Sequence, residues 1–197
     1  MTSSRKEQER QARKDAIIQA TLRVFKAKGI EATTMDEIAA EADFGRASLY
    51  YYFASREELF SHIFESGWIK LWDSIDENKD ESLDPRARFL GIVKQVGNVV
   101  LEDRQLYTFL FSAPNVKLGN QSWKMYQDKL YMLLRSILEE GVKTGDFPDI
   151  HPGMLMRAVG GIFHGLLFLK EGKQAVESKD VEALVQKVLE ITPHSTS

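Results

Sequence analysis

Residues 46–53 read Arg-Ala-Ser-Leu-Tyr-Tyr-Tyr-Phe. Wound as a helix at about 100° per residue, their side chains separate into two faces. Leu49 and Phe53 share one face and would pack on Ile38 and Ala42 of the preceding segment. Ala47, Ser48 and Tyr51 fall opposite, with Arg46, Tyr50 and Tyr52 on the flanks. An exposed face of this composition suits the DNA major groove. An arginine can bond bidentately to guanine, a serine hydroxyl adapts to several base edges, and a small alanine permits close approach. Tyrosine hydroxyls can donate to phosphates. The competing reading is that the three consecutive tyrosines merely cover the edge of a core.

Other groupings offer less chemistry. Glu58 and His62 stand four apart and Glu65 follows three later, a spacing that helical metal pairs use, but no further ligand stands nearby in sequence. Glu139 and Glu140 are adjacent, so on a helix they diverge into solvent. The chain has no cysteine, which excludes thiolate metal sites, disulfides and cysteine catalysis. No Gly-rich phosphate loop, Gly-x-Ser-x-Gly elbow or His-Glu-x-x-His motif is present. The expectation is a protein that is not an enzyme, with no metal and no cofactor.

The elements that must position the 46–53 segment are helical. The first 84 residues contain no proline. Ile18, Leu22 and Phe25 fall at helical spacing, and Gly29 follows Lys26 and Lys28 as a stop. Thr34-Met35-Asp36-Glu37 has the spacing of a capping box, opening a short helix that ends near Ala42. Asp43-Phe44-Gly45 reads as a turn, and a third helix runs from about Arg46 to Phe53. Ser55-Arg56-Glu57-Glu58 is a second capping box, heading a long helix through Leu59, Ile63, Trp68 and Ile75. Three helices in about 40 residues, with a tight turn between the two short ones, make a helix-turn-helix. Beyond a polar linker at 76–84, helices are read at 85–102, 104–112, 120–144, 152–171 and 179–191. Turns at 113–115, 145–148 and 171–173 separate them, and the tail 193–197 is expected to fray. No strand is expected.

The charge is distributed unevenly. Net charge is −3, yet residues 1–30 carry eight Lys or Arg against three acids, and residues 31–60 carry two against seven. Arg5, Lys6, Arg10, Arg13 and Lys14 thus form a basic arm, expected to be mobile without DNA and to contact phosphates when bound. The polar start lacks a signal-peptide core, and the longest apolar stretch, 158–169, is shorter than the roughly 20 residues a membrane span needs. A cytoplasmic protein without a membrane partner is expected.

Ala32-Thr33-Thr34-Met35-Asp36-Glu37-Ile38-Ala39, Ser48-Leu49-Tyr50-Tyr51-Tyr52-Phe53 and Ser55-Arg56-Glu57-Glu58-Leu59 together resemble the N-terminal domain of the tetracycline-repressor (TetR) family, over roughly residues 14–60. The resemblance implies a homodimeric transcriptional regulator, usually a repressor, that binds a double-stranded operator and is released by a small-molecule effector. It maps phosphate contact to Thr34 and Arg56, and contacts of the recognition helix to Gly45, Arg46, Ala47, Ser48, Tyr50, Tyr51 and Tyr52. The chain departs from the family's pattern where Asp43-Phe44-Gly45 replaces Gly-Val-Ser and Ala47 replaces glycine. Losing the serine removes a possible cap, and Asp43 is expected to face away from DNA.

The expected architecture is therefore all-α, about nine helices, with a helix-turn-helix domain at 10–57 and a ligand-binding and dimerisation domain at 58–197. Trp68, Tyr107, Phe111, Trp123, Tyr126 and His164 are candidate effector contacts, because buried tyrosine and tryptophan need polar partners. Taken singly, each reads more readily as ordinary core than as ligand lining, and His164 as a core or interface histidine. Met154, Ala158, Gly161, Ile162 and Gly165 repeat at spacings of three and four, as do Leu184, Val185 and Val188. Either both stripes are buried within one subunit or they form a two-fold, four-helix interface, which the resemblance favours. The rival to a DNA-binding regulator is a helical small-molecule binding or interaction protein that does not read DNA.

Overall fold

The computed structural model describes residues 2–75, 82–112, 121–169 and 177–190. Among them nine helices and no strand occur: α1 (Thr2–Lys28), α2 (Met35–Glu41), α3 (Arg46–Tyr52), α4 (Arg56–Ser74), α5 (Pro85–Glu102), α6 (Arg104–Ser112), α7 (Trp123–Thr144), α8 (Pro152–Phe168) and α9 (Ser178–Glu190). The all-α expectation holds, and most boundaries fall within one or two residues of those read from capping and turn residues. The turns expected at 113–115 and 171–173, most of the 76–84 linker and the tail lie outside the described residues.

The basic arm departs from expectation. It is not a separate segment but the first turns of α1, helical from Thr2. No glycine or proline interrupts it, and pairs four apart, Arg5 with Glu9 and Gln11 with Asp15, bridge successive turns. Gly29 ends the helix at φ +80°, with its amide bonded to Phe25 O at 2.8 Å.

The chain forms two compact units: residues 1–67 with 105–122, and 68–104 with 123–197. The division therefore falls at Gly67 and returns α6 to the first unit, where sequence reading places a boundary at 57 and all later helices together. The cause is aromatic. Phe109 of α6 meets Phe25, Phe60 and Phe64 edge-to-face at 5.1, 5.1 and 5.7 Å, the quadrupole-favoured geometry. Phe60, Phe64 and Phe109 are buried, as are Ile17, Ile38, Leu49 and Leu59 around them. Gly67 has no side chain where Leu110 packs, and Tyr107 donates its hydroxyl to Gly67 O at 3.2 Å.

In the second unit α5 packs on both α9 and α7, and α7 on α8. Val181 and Val185 of α9 are buried, as are Leu155 and Val159 of α8. Buried Arg88 bonds Glu140 at 3.1 Å. At the end of α7, Phe147 returns its amide to Gly141 O at 3.0 Å through Gly145 at φ +84°. Its ring lies where a side chain on Gly141 would stand.

Candidate nucleic-acid interface

The angle between α2 and α3 rests on caps and one strained residue. Thr34 opens α2 in extended conformation, its Oγ1 accepting from Glu37 N at 3.3 Å. The reciprocal half of the capping box is absent. Thr34 N already donates to Ala32 O at 3.0 Å, and the Glu37 carboxylate pairs with Lys28 instead. At the head of α4 both halves form: Glu58 N donates to Ser55 Oγ at 3.1 Å, and the Glu58 carboxylate accepts from Ala54 N at 2.8 Å. Between α2 and α3, Phe44 N bonds Ala39 O (2.9 Å) and Asp43 N bonds Ala40 O (3.3 Å). Asp43 occupies the left-handed position at φ +56°. This is a Schellman turn with aspartate where glycine is usual.

On α3, Leu49 is fully buried and Phe53 just beyond it nearly so. Arg46, Ala47, Ser48, Tyr50 and Tyr51 are exposed, Tyr51 by 74%. The two faces thus fall where helical spacing puts them. Of the three tyrosines only Tyr52 covers a core edge. It is half-buried, with Phe44 edge-on at 6.2 Å and Tyr51 at 5.1 Å. Arg13 of α1 lies over Phe44 at 6.0 Å and Lys14 over Phe53 at 5.6 Å. These contacts tie the basic face of α1 to both ends of the recognition helix. Gly45 caps α3 without a side-chain bond, as the missing serine implies. Arg56 stacks on Phe60 at 5.5 Å and reaches Glu57 at 3.5 Å.

Three acids of α2 have basic partners. Arg23 bonds Glu41 at 2.6 Å, Lys28 pairs with Glu37, and Arg46 pairs with Asp36. The Asp36–Arg46 pair joins residues ten apart on different helices, and no sequence periodicity signals it. Phe44 is likewise invisible as the link between Arg13 and Tyr52.

Glu58, His62 and Glu65 line a cleft of about 420 Å³ with Lys14, Phe53, Ser55, Glu57 and Ser61. Glu58 serves as a cap and Glu65 accepts from Ser122 Oγ at 2.8 Å, so both carboxylates are engaged. Burial first, and then Lys14, holds the His62 imidazole below its ordinary pKa, against the pull of Glu65, Asp15 and Glu58. Among the described residues no group of three acids or histidines is placed to hold a metal.

The candidate effector residues divide between the units. Tyr107 and Phe111 belong to the first; Trp68, Trp123, Tyr126 and His164 belong to the second. Trp68 and Trp123 are buried, Trp68 with Tyr131 edge-on at 6.0 Å. Tyr126 is half-buried beside Lys129, whose ammonium lies 5.5 Å from its ring and 5.7 Å from that of Trp72. His164 is exposed, its ring against Phe168 at 4.5 Å, which corrects its reading as a core histidine.

The dimer stripes also separate. Met154 (55% exposed), Ala158 and Gly161 are open, Ile162 and Gly165 are partly covered, and a side chain on Gly160 or Gly161 would meet open space. Leu184 is 50% exposed, but Val185 is fully buried, so it packs within the subunit and is not an interface residue. The spacing of three and four along α9 carried two faces rather than one. The Val188 side chain lies outside the described residues. No helix among the described residues is long and apolar enough to cross a membrane.

A family profile described as bacterial regulatory proteins, tetR family, matches residues 17–63, which span α2, α3 and the parts of α1 and α4 packed around them. The transcriptional regulator AcrR of Shigella flexneri is 34% identical, across 94% of this chain and 93% of that protein. The regulator YhgD of Bacillus subtilis is 28% identical, across 79% and 83%. Among solved structures, a tetR-family regulatory protein from Rhodococcus RHA1 superposes with a TM-score of 0.78 at 20% identity, covering 90% of this chain and 95% of that one. AibR, solved with isovaleryl coenzyme A and operator DNA, superposes at 0.76 with 16% identity, covering 90% and 98%. The relative matched over nearly its whole length, the family profile and the exposed face of α3 agree: the chain belongs to the tetR family of bacterial regulatory proteins and is a DNA-binding transcriptional regulator.

Proposed function

We propose that the protein is a homodimeric repressor that reads a near-palindromic operator and is released from it by a small molecule bound in the second unit. The observation that carries the reading is the open polar-aromatic face of α3, held by a fully buried Leu49 behind it. Arg46 and Ser48 meet base edges, while Ala47 lets the helix approach closely. Tyr50, Tyr51, Tyr52 and Arg56 contact backbone phosphates, with Gly45 at the point of closest approach. The Thr34 hydroxyl accepts its cap bond through oxygen and keeps its proton for a phosphate.

The exposed apolar positions Met154, Ala158 and Gly161 of α8 and Leu184 of α9 support a second copy as the partner. Trp68, Trp123 and Tyr126 are the candidate effector contacts of the second unit. That AibR was solved with both an acyl coenzyme A and operator DNA supports a ligand-responsive regulator of this fold.

Selection of tight binders from a randomised duplex pool with the full-length protein tests the reading. The expected product is an inverted repeat whose half-site centres lie about 34–36 Å apart, or a multiple of one turn. Arg46→Ala should relax the preference at one position per half-site by about 1–3 kcal/mol, and Arg56→Ala should weaken all duplexes alike. A pool that returns no enriched sequence overturns it.

A further inference from the structure

The first turn of α2 places an acid in the groove-facing unit, where a carboxylate meets phosphate repulsion. Asp36 is exposed, and its Oδ2 accepts from Nη2 of Arg46, the first residue of α3. Its neighbour Glu37 is turned to Lys28. Both acids at the start of α2 therefore have basic partners, but only the Asp36 pair sits on the recognition helix.

We propose that Asp36 is a positioning residue that determines specificity: by holding one edge of the Arg46 guanidinium, it presents the remaining donors to a base and withholds Arg46 from phosphates. The inference rests on the reading of α3 as the groove element. A guanidinium carries five N–H donors in a rigid fork. A single bond from Nη2 leaves Nη1, Nε and the second Nη2 hydrogen for a bidentate contact. An arginine already held in one rotamer surrenders less freedom when it docks. The pair is also neutral overall, so it releases few counterions from the duplex and contributes little to non-specific binding. With Asp36 absent, Arg46 becomes a free cation at a phosphate-lined groove.

A simpler role exists for the same residue, since an acid in the first turn of a helix is favourable by itself. The two roles differ in what they move. Helix stabilisation alone lowers the melting temperature and weakens binding to every duplex alike. Positioning changes the ratio between a selected duplex and its scrambled counterpart.

The experiment measures Kd for both duplexes across a salt series, with the full-length protein and its Asp36→Ala, Arg46→Ala and doubly substituted forms. Asp36→Ala is expected to lower the discrimination ratio about tenfold, within the range that one bidentate base contact provides. It is also expected to tighten scrambled-duplex binding and steepen the slope of log K against log salt by about 1.8, one phosphate contact of about 0.9 in each subunit of the dimer. In the Arg46→Ala background, Asp36→Ala should leave the ratio unchanged. An unaltered ratio in the otherwise unsubstituted protein, or the same change in both backgrounds, overturns the positioning role. A normal ratio in Arg46→Ala itself overturns the reading of α3.

Discussion

Two helical surfaces of this chain are left open, and they differ in kind. On α3 the exposed side chains are Arg46, Ala47, Ser48, Tyr50 and Tyr51, all but the small alanine with a polar group to offer. On α8 and α9 the open positions include Met154, Ala158, Gly161 and Leu184, with little to offer water. The first surface is stable in solvent and gains by meeting a polyanion. The second gains only by leaving water, since fully burying a Met or Leu side chain is worth about 1.5–3 kcal/mol. An isologous contact counts that gain twice, because each chain presents the same patch. The chemistry of an open face thus points to its partner: DNA for one, another copy of the chain for the other.

The largest expected effect comes from charging the apolar face. Met154→Glu with Leu184→Glu should give monomers by light scattering that keep their helical content by circular dichroism, because both side chains are half-exposed within the subunit. Operator affinity should fall at least about 100-fold, since two half-sites no longer bind as one unit. Val185→Glu, one residue away but fully buried, should instead unfold the second unit. A Met154→Glu/Leu184→Glu protein that stays dimeric would show that this face is not the interface.

A smaller effect belongs to the other surface. Lys6, Arg10 and Lys14 continue helical spacing from Ile17, the buried face of α1, and Lys14 already lies over Phe53. Deleting residues 2–10 should lower the slope of log K against log salt by about one to two units, at roughly 0.9 for each phosphate no longer neutralised. Operator preference should be unchanged, because no base reader is removed. An unchanged slope would reduce the extension to a solubility tail.

How legible each surface was follows from which rules are local. The α3 face was readable because Leu49 and Phe53 fix the wheel within eight residues. Capping residues placed α2 and α4, although Glu37 turned to Lys28 because the Thr34 amide was already bonded. The course of the arm was missed because Ala12 is the only apolar residue between Met1 and Ala16, too little to mark a helical face, whereas Glu9 and Asp15 bridge successive turns. The stripe on α9 divides between two faces, since a periodicity of three and four cannot say that Val185 is buried while Leu184 stays open. The grouping of α6 with the first unit was illegible. It depends on Phe109 meeting rings 45 to 84 residues earlier, which only the folded chain brings together.

The smallest expected effect concerns the turns that hold the two surfaces. Three left-handed positions occur among the described residues: Gly29, Asp43 and Gly145. Only the one beside the recognition helix carries a side chain. A left-handed L-residue costs roughly 1–2 kcal/mol, and glycine avoids this at a loss of about 0.5–1 kcal/mol through its freer unfolded chain. Asp43→Gly should therefore raise stability by about 0.5–1 kcal/mol in denaturant unfolding. Gly145→Asp, at a turn where a side chain meets open space, should lower it by a similar amount from backbone strain alone. The exchange also locates the Asp43 carboxylate. If it faces away from DNA, Asp43→Gly leaves the salt slope of operator binding unchanged, and the aspartate serves the turn. A steeper slope would place the carboxylate at a phosphate, as a second acid restraining non-specific binding beside Asp36.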